Sequence, residues 1–146
     1  MSGRKNYYKK MKSKIFITGS SGFIGFHIAK KLKDLGSKVH GYDSMNSYYD
    51  VNLKKARLSI LKKYKNFSFT KGLLENEKKV RNINFRFKPN IIIHLGAQAG
   101  VRHSISNPNI YIKSNIIGTY NILKIASKMK VKHLLIGSSS SVYGAN

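Results

Sequence analysis

Cysteine is absent, proline occurs twice, and only five residues are acidic in this chain of 146 residues. Without cysteine there is no disulfide framework, no thiolate metal site and no cysteine nucleophile. That fits a reducing compartment, and a cytoplasmic location is the expectation. No apolar run approaches the ~20 residues that a membrane helix needs. The opening MSGRKNYYKKMKSK is basic but has no apolar segment behind it, so it does not have the form of a secretory signal. Residues 1–13 read instead as a basic, disordered extension, and with a second Met at position 11 residues 1–10 read as an upstream start or a cloning remnant. The five histidines, at 27, 40, 94, 103 and 133, show no ligand spacing, so no metal site is expected.

Scarcity of acid leaves base in excess: 28 Lys+Arg against 5 Asp+Glu, a net charge of +23. Such a surplus attracts polyanions. The lysines are spread along the chain, as in LKKARLSILKKYK and ENEKKVRNINFRFK, and no recognition-helix, RNP or zinc-finger pattern organises them. Sequence-independent affinity for nucleic acid is expected from charge alone; a dedicated nucleic-acid function is not. An AT-rich genome would give the same Lys, Asn and Ile bias.

Apolar periodicity supplies the order of elements. KIFIT (14–18) is a buried strand. A helix follows from Phe23 to Leu35, with apolar residues at 24, 28, 32 and 35 on one face and Gly36 as the stop. KVHGY (38–42) is a second strand, Val51–Tyr64 an amphipathic helix, and Phe67–Thr70 a short strand. A weaker helix over 76–87 closes at Lys88-Pro89. NIIIHL (90–95) is nearly continuous apolar, as expected of a central parallel strand covered on both faces. Asn107-Pro108 opens one long helix to about Met129, and 132–136 is the fifth strand. The order βαβαβαβαβ predicts an α/β, Rossmann-like, doubly wound parallel sheet over residues 14–146.

The first strand runs into TGSSGFIG, with glycines at 19, 22 and 25. Glycines in a strand-to-helix turn let the backbone approach a ligand, and the helix start offers unpaired N–H groups suited to a pyrophosphate. The spacing is GxxGxxG rather than GxGxxG, and packing alone is the alternative explanation. The second strand ends at Asp43, which is placed to accept hydrogen bonds from adenosine ribose hydroxyls and to repel a 2′-phosphate. The pair therefore favours NAD over NADP.

TGSSGFIG, Asp43 and the closing SSSSVYG together resemble the extended short-chain dehydrogenase/reductases, specifically the NAD-dependent nucleotide-sugar epimerases and dehydratases. Within that group YDSMNSYYDVNLKKARL, HLGAQAGVRHSISNP and YIKSNIIGTYNIL look like the UDP-glucuronate 4-epimerases. The likeness runs from Lys14 to the end of the chain and covers only the family's N-terminal, cofactor-binding part. It implies that Gly19, Gly22, Phe23, Ile24 and Gly25 hold the pyrophosphate and Asp43 the ribose. Gly96, Ala97, Gln98, Asn115 and Ser138 would line the dinucleotide. Ser139 matches the active-site Ser/Thr that bonds the reacting sugar hydroxyl. Ser140 and Arg102 would contact the sugar nucleotide, a solvated loop arginine being the alternative for Arg102.

The implied activity is interconversion of UDP-glucuronate and UDP-galacturonate by transient oxidation at C4, with a homodimer left open for the full-length protein. Two departures matter. Leu73, in KGLLEN, stands where the family carries an adenine-binding aspartate. The family's Tyr-x-x-x-Lys base pair falls beyond Asn146. Two formal matches do not fit: Tyr8/Lys12 precedes the first strand, and Tyr120/Lys124 lies on a crossover helix, where Tyr120 reads as a core residue. The chain alone is expected not to epimerise. Another epimerase or a 4,6-dehydratase, or a non-catalytic dinucleotide-binding module, are the alternatives. Ser140 and Ser141 stand where a dehydratase would carry Asp-Glu.

Overall fold

The computed structural model describes residues 13–144. The basic segment 1–12, with Tyr8 and Lys12, lies outside them. Five strands form one parallel sheet: β1 (Lys14–Thr18), β2 (Lys38–Asp43), β3 (Phe67–Lys71), β4 (Ile91–His94) and β5 (His133–Ile136), in the spatial order β3-β2-β1-β4-β5. Register pairs Lys14 with Lys38, Ile15 with Ile91, Val39 with Phe67 and Ile91 with His133.

The period of two along β1 splits the core into two layers. Ile15 and Ile17 pack with Val39, Ile93, Phe26, Ala29 and Leu61 on the side of α1 (Phe23–Asp34) and α2 (Val51–Lys62). Phe16 points the other way and packs with Tyr42, Ile92, Val80 and Ile122, beneath α3 (Glu77–Phe87) and α6 (Gly118–Met129). Ile15, Phe16, Ile17, Val39 and Ile92 are all at most 1 % exposed, so the inner strands are covered on both faces as their unbroken apolar runs require.

Helix starts follow local chemistry. Asp50 caps α2 by accepting from the Asn52 amide, and Asn76 caps α3 by accepting from Lys79. The region expected as one helix over 107–129 is divided. Here α5 (Pro108–Tyr111) passes through a π-helical stretch, Ile112–Ile117, into α6. Two short elements were not foreseen: α4 (Val101–Ser106) and a 3₁₀ turn at Ser140–Tyr143. Each is too short to carry a period.

The order of strands reverses direction between β1 and β4. In a doubly wound sheet the crevice beyond the carboxyl ends of two such strands is the ligand site. The turns after β1 and β4 touch there: a Cβ built on Gly19 would lie 2.9 Å from the Gly96 nitrogen.

Candidate dinucleotide cleft

A cleft of about 680 Å³ opens at this carboxyl edge. Gly19, Gly22, Phe23, Ile24, Gly25, Asp43, Gly96, Ala97, Gln98 and Ser138 all line it, which leaves Asn115 as the one residue of the expected cofactor set outside its wall.

The glycine turn is shaped by contact as much as by any ligand. Gly19 has φ +69°, and a Cβ on Gly25 would fall 2.1 Å from the Gly19 carbonyl oxygen. Gly22 is the N-cap of α1 and offers no side chain to the first turn, where no acidic residue stands either. That helix start, with exposed Phe23 and Ile24, therefore presents amide donors and the positive dipole end to the cleft. A phosphate-bearing group fits this donor set.

Asp43 is 7 % exposed and fixed from both sides. Its Oδ2 accepts from the Ser21 amide at 3.0 Å and its Oδ1 from the Met45 amide at 2.9 Å. The carboxylate ties the glycine turn to the loop after β2 and retains lone pairs for a ligand. Next to it, the Tyr42 hydroxyl donates to the Leu73 carbonyl at 2.9 Å. Burial, with the Glu75 carboxylate adding to it, pushes that phenol up to about 12, so it stays protonated as a donor. Leu73 itself lines the cleft and is 53 % exposed.

Beneath the cleft a polar chain fixes the crossing of β1 and β4. The Thr18 hydroxyl accepts from the amides of Leu95 (3.1 Å) and Gly96 (2.9 Å). With both lone pairs taken, its proton goes to His94 Nδ1, 2.7 Å away. His94 therefore carries its proton on Nε2, which donates to Thr119 Oγ1 at 3.0 Å. Burial pushes this imidazole down to about 4, and it serves as a neutral strut.

Asn115 reaches the site indirectly. Its Oδ1 accepts from the Gln98 amide at 2.7 Å and its Nδ2 donates to the Gln98 carbonyl at 2.9 Å, a closed pair that copies strand pairing. Asn115 lies in the π-helical stretch, and the clamp sets the path of the 96–100 loop. Tyr111 adds to it through its hydroxyl, whose one proton is shared between the carbonyls of Ala99 (2.6 Å) and Gly100 (2.5 Å).

Three further residues were not foreseen as site residues, although they stand in the YDSMNSYYDVNLKKARL stretch. Lys54 is buried and donates to the Asn46 carbonyl (2.9 Å) and Oδ1 (2.8 Å). Asn46 donates across to Gln98 Oε1 at 3.3 Å. Arg57 lies over the Phe23 ring at 5.7 Å and lines the cleft. The Asp50 cap would have placed Lys54 and Arg57 on the first turns of a helix, but only the fold shows that they turn toward the cleft.

Ser139 and Ser140 are exposed at the end of β5. Ser139 Oγ accepts from the Ser141 amide at 3.2 Å and starts the 3₁₀ turn. Arg102 is exposed on α4 and is not part of the cleft wall. Tyr120, expected in the core, is 58 % exposed, because the face of α6 that bears it is turned away from the sheet. The Lys124 ammonium lies 5.5 Å from the Tyr120 ring and pairs with Glu77 at 2.8 Å. Among the described residues no group of three His, Cys, Asp or Glu could hold a metal ion, and no helix is long and apolar enough to cross a membrane.

Sheet order, glycine turn and acidic end of β2 define a dinucleotide-binding protein of the Rossmann class. The chain belongs to the family described as GDP-mannose 4,6 dehydratase, whose model matches residues 16–146. It is 50% identical over 133 residues to Protein CapI of Staphylococcus aureus, covering 91% of this chain and 40% of that protein. It is 42% identical over 127 residues to the UDP-glucuronate 4-epimerase of Thermodesulfobacterium geofontis, covering 87% of this chain and 39% of that one. A solved structure of a Bacillus cereus UDP-glucuronic acid 4-epimerase mutant, in complex with UDP-4-deoxy-4-fluoro-glucuronic acid and NAD, superposes with a TM-score of 0.79 at 29% identity, over 91% of this chain and 42% of that one. The chain thus spans about 30–40% of the length of the curated relatives it matches.

Proposed function

We propose that residues 14–146 form the NAD-binding part of a nucleotide-sugar epimerase acting on UDP-glucuronate and UDP-galacturonate. The observation that carries this reading is the gathering of an uncapped α1 start, Asp43, the 96–98 loop and Ser138 on one cleft. Relatives named UDP-glucuronate 4-epimerase support the substrate.

In this reading the α1 amides and Gly22 hold the pyrophosphate, and Asp43 accepts from the adenosine ribose. Gly96, Ala97 and Gln98, held by Asn115, wall the dinucleotide. Ser138 and Ser139 meet the nicotinamide end, with Ser139 orienting the sugar hydroxyl; Ser140 and Arg102 contact the sugar nucleotide. NAD, when bound, supplies a reversible hydride acceptor for the sugar carbinol. No Tyr-x-x-x-Lys pair among the described residues lies on the cleft, so this chain by itself does not turn over. A 4,6-dehydratase is the second reading, favoured by the description of the matching family; Ser140 and Ser141 count against it.

Calorimetric titration tests the cofactor: NAD binds with a stoichiometry of one, and Asp43→Ala weakens it at least tenfold. No detectable binding sinks the reading. Incubation with NAD and UDP-glucuronate, followed by resolution of the sugars, tests the rest; clear galacturonate from this chain refutes its incompleteness.

A further inference from the structure

Five of the lysines that look dispersed in the sequence are brought to one edge by the fold. In a parallel α/β sheet all strands start on one edge, and the helices that connect them end there. Each of the five strands is entered through an exposed lysine. In sheet order these are Lys65 before β3, Lys38 opening β2, Lys14 opening β1, Lys88 before β4 and Lys132 before β5. Three of the entries, at Lys14, Lys38 and Lys132, are level. Lys14 and Lys38 are register partners, the Asn90 amide donates to the Lys14 carbonyl at 2.8 Å, and the Lys132 amide donates to the Asn90 carbonyl at 2.8 Å. With strands about 4.8 Å apart, the row is roughly 20 Å long.

Lysine at a helix C-terminus is expected from the helix dipole, and this explains Lys88 and Lys130 as C-caps of α3 and α6. It does not explain Lys14, Lys38 and Lys132, which end no helix. Acidic residues are partitioned the other way. Asp43 ends β2, and Asp50, Glu75 and Glu77 follow a strand or begin a helix, all at the carboxyl edge. The fifth, Asp34, is at the amino edge, where Lys30 (3.1 Å) and the Tyr64 hydroxyl (3.0 Å) hold it.

We propose that this amino edge binds the phosphate backbone of duplex nucleic acid without reading its bases. A duplex carries one charge per ~1.7 Å of axis, which suits a linear row of cations. A membrane partner fits less well: of the large apolar residues exposed among the described residues, only Ile60 and Phe85, in the last turns of α2 and α3, lie at this edge, and a bilayer-binding face needs several to insert. The face is opposite the dinucleotide cleft, and the proposal does not depend on what that cleft holds.

The test is fluorescence anisotropy of a labelled random-sequence duplex, titrated across KCl concentration. The variant Lys14→Gln/Lys38→Gln/Lys88→Gln/Lys132→Gln is compared with a control of equal charge loss, Lys55→Gln/Lys78→Gln/Lys79→Gln/Lys113→Gln, whose lysines are exposed elsewhere. Each phosphate contact contributes about 0.9 to the slope of log K against log salt. The edge variant is expected to lose about 3.6 from that slope and at least tenfold in affinity at 0.1 M KCl; the control loses at most one. Thermal melts monitor the fold, and the four single variants, each lowering the slope by about one, serve if the quadruple variant is unstable. Equal losses in the two quadruple variants would overturn the proposal, as would no binding by the parent chain at 50 mM KCl. So would tighter, equally edge-dependent binding to vesicles of phosphatidylserine and phosphatidylcholine.

Discussion

Gly19, Gly22 and Gly25 sit in one turn but answer to different constraints. A methyl group on Gly25 has no room, at 2.1 Å from a backbone oxygen, whereas one on Gly22 would meet only the Gly19 oxygen at 3.2 Å. Gly25→Ala is therefore expected to lower stability by about 1–3 kcal/mol or more, read as a shifted urea midpoint. Gly22→Ala should be milder in the same melt. The buried imidazoles make a second prediction. His40 and His94 are both pushed down to about 4 by burial, from about 6.5 in an unfolded chain. Below 6.5 the unfolded chain takes up protons that the folded one refuses, so stability falls as pH drops from about 6.5 to 4. Melting temperature should decline across that window, and His40→Gln/His94→Gln should flatten the decline. An unchanged slope in the double variant would show that other groups carry it.

Elements differ in how openly the sequence declares them. The inner strands read directly, because IFI and IIIH must be covered on both faces. The helix over 107–129 did not, since its apolar spacing tolerates a π-helical stretch whose purpose lies elsewhere. That stretch presents Asn115 to Gln98, seventeen positions away, and no local pattern records such a pairing. The same applies to Lys54, which looks like one of many surface lysines until Asn46 folds over it. Asn115→Ala removes both bonds to the 96–100 loop. Melting should fall by an amount equivalent to about 1–3 kcal/mol, and NAD affinity about tenfold, with Asn115→Gln failing to restore either.

At the scale of the molecule the two ends of the sheet are unlike. The β3 end carries Ser68 and Lys71, while β5 presents Leu135 at 50 % and Ile136 at 42 % exposure. A terminal strand with apolar side chains and free backbone groups pairs readily with other chains. Sedimentation velocity should detect self-association that rises with protein concentration, and Leu135→Lys should suppress it. Concentration-independent sedimentation of the parent chain would contradict this.

The grip on the loop after β3 has a consequence for how the cofactor end can change over time. Tyr42 holds the Leu73 carbonyl and Asn121 the Leu74 carbonyl, at 2.9 and 3.0 Å. Both bonds are to main chain, and the Leu73 side chain plays no part in either. Position 73 is thus decoupled from folding: its side chain is free to drift under mutation while this part of the cleft floor keeps its shape. A change between leucine and aspartate there, in either direction, needs no unstable intermediate. Leu73→Asp should leave the melting temperature within a degree or two and tighten NAD severalfold.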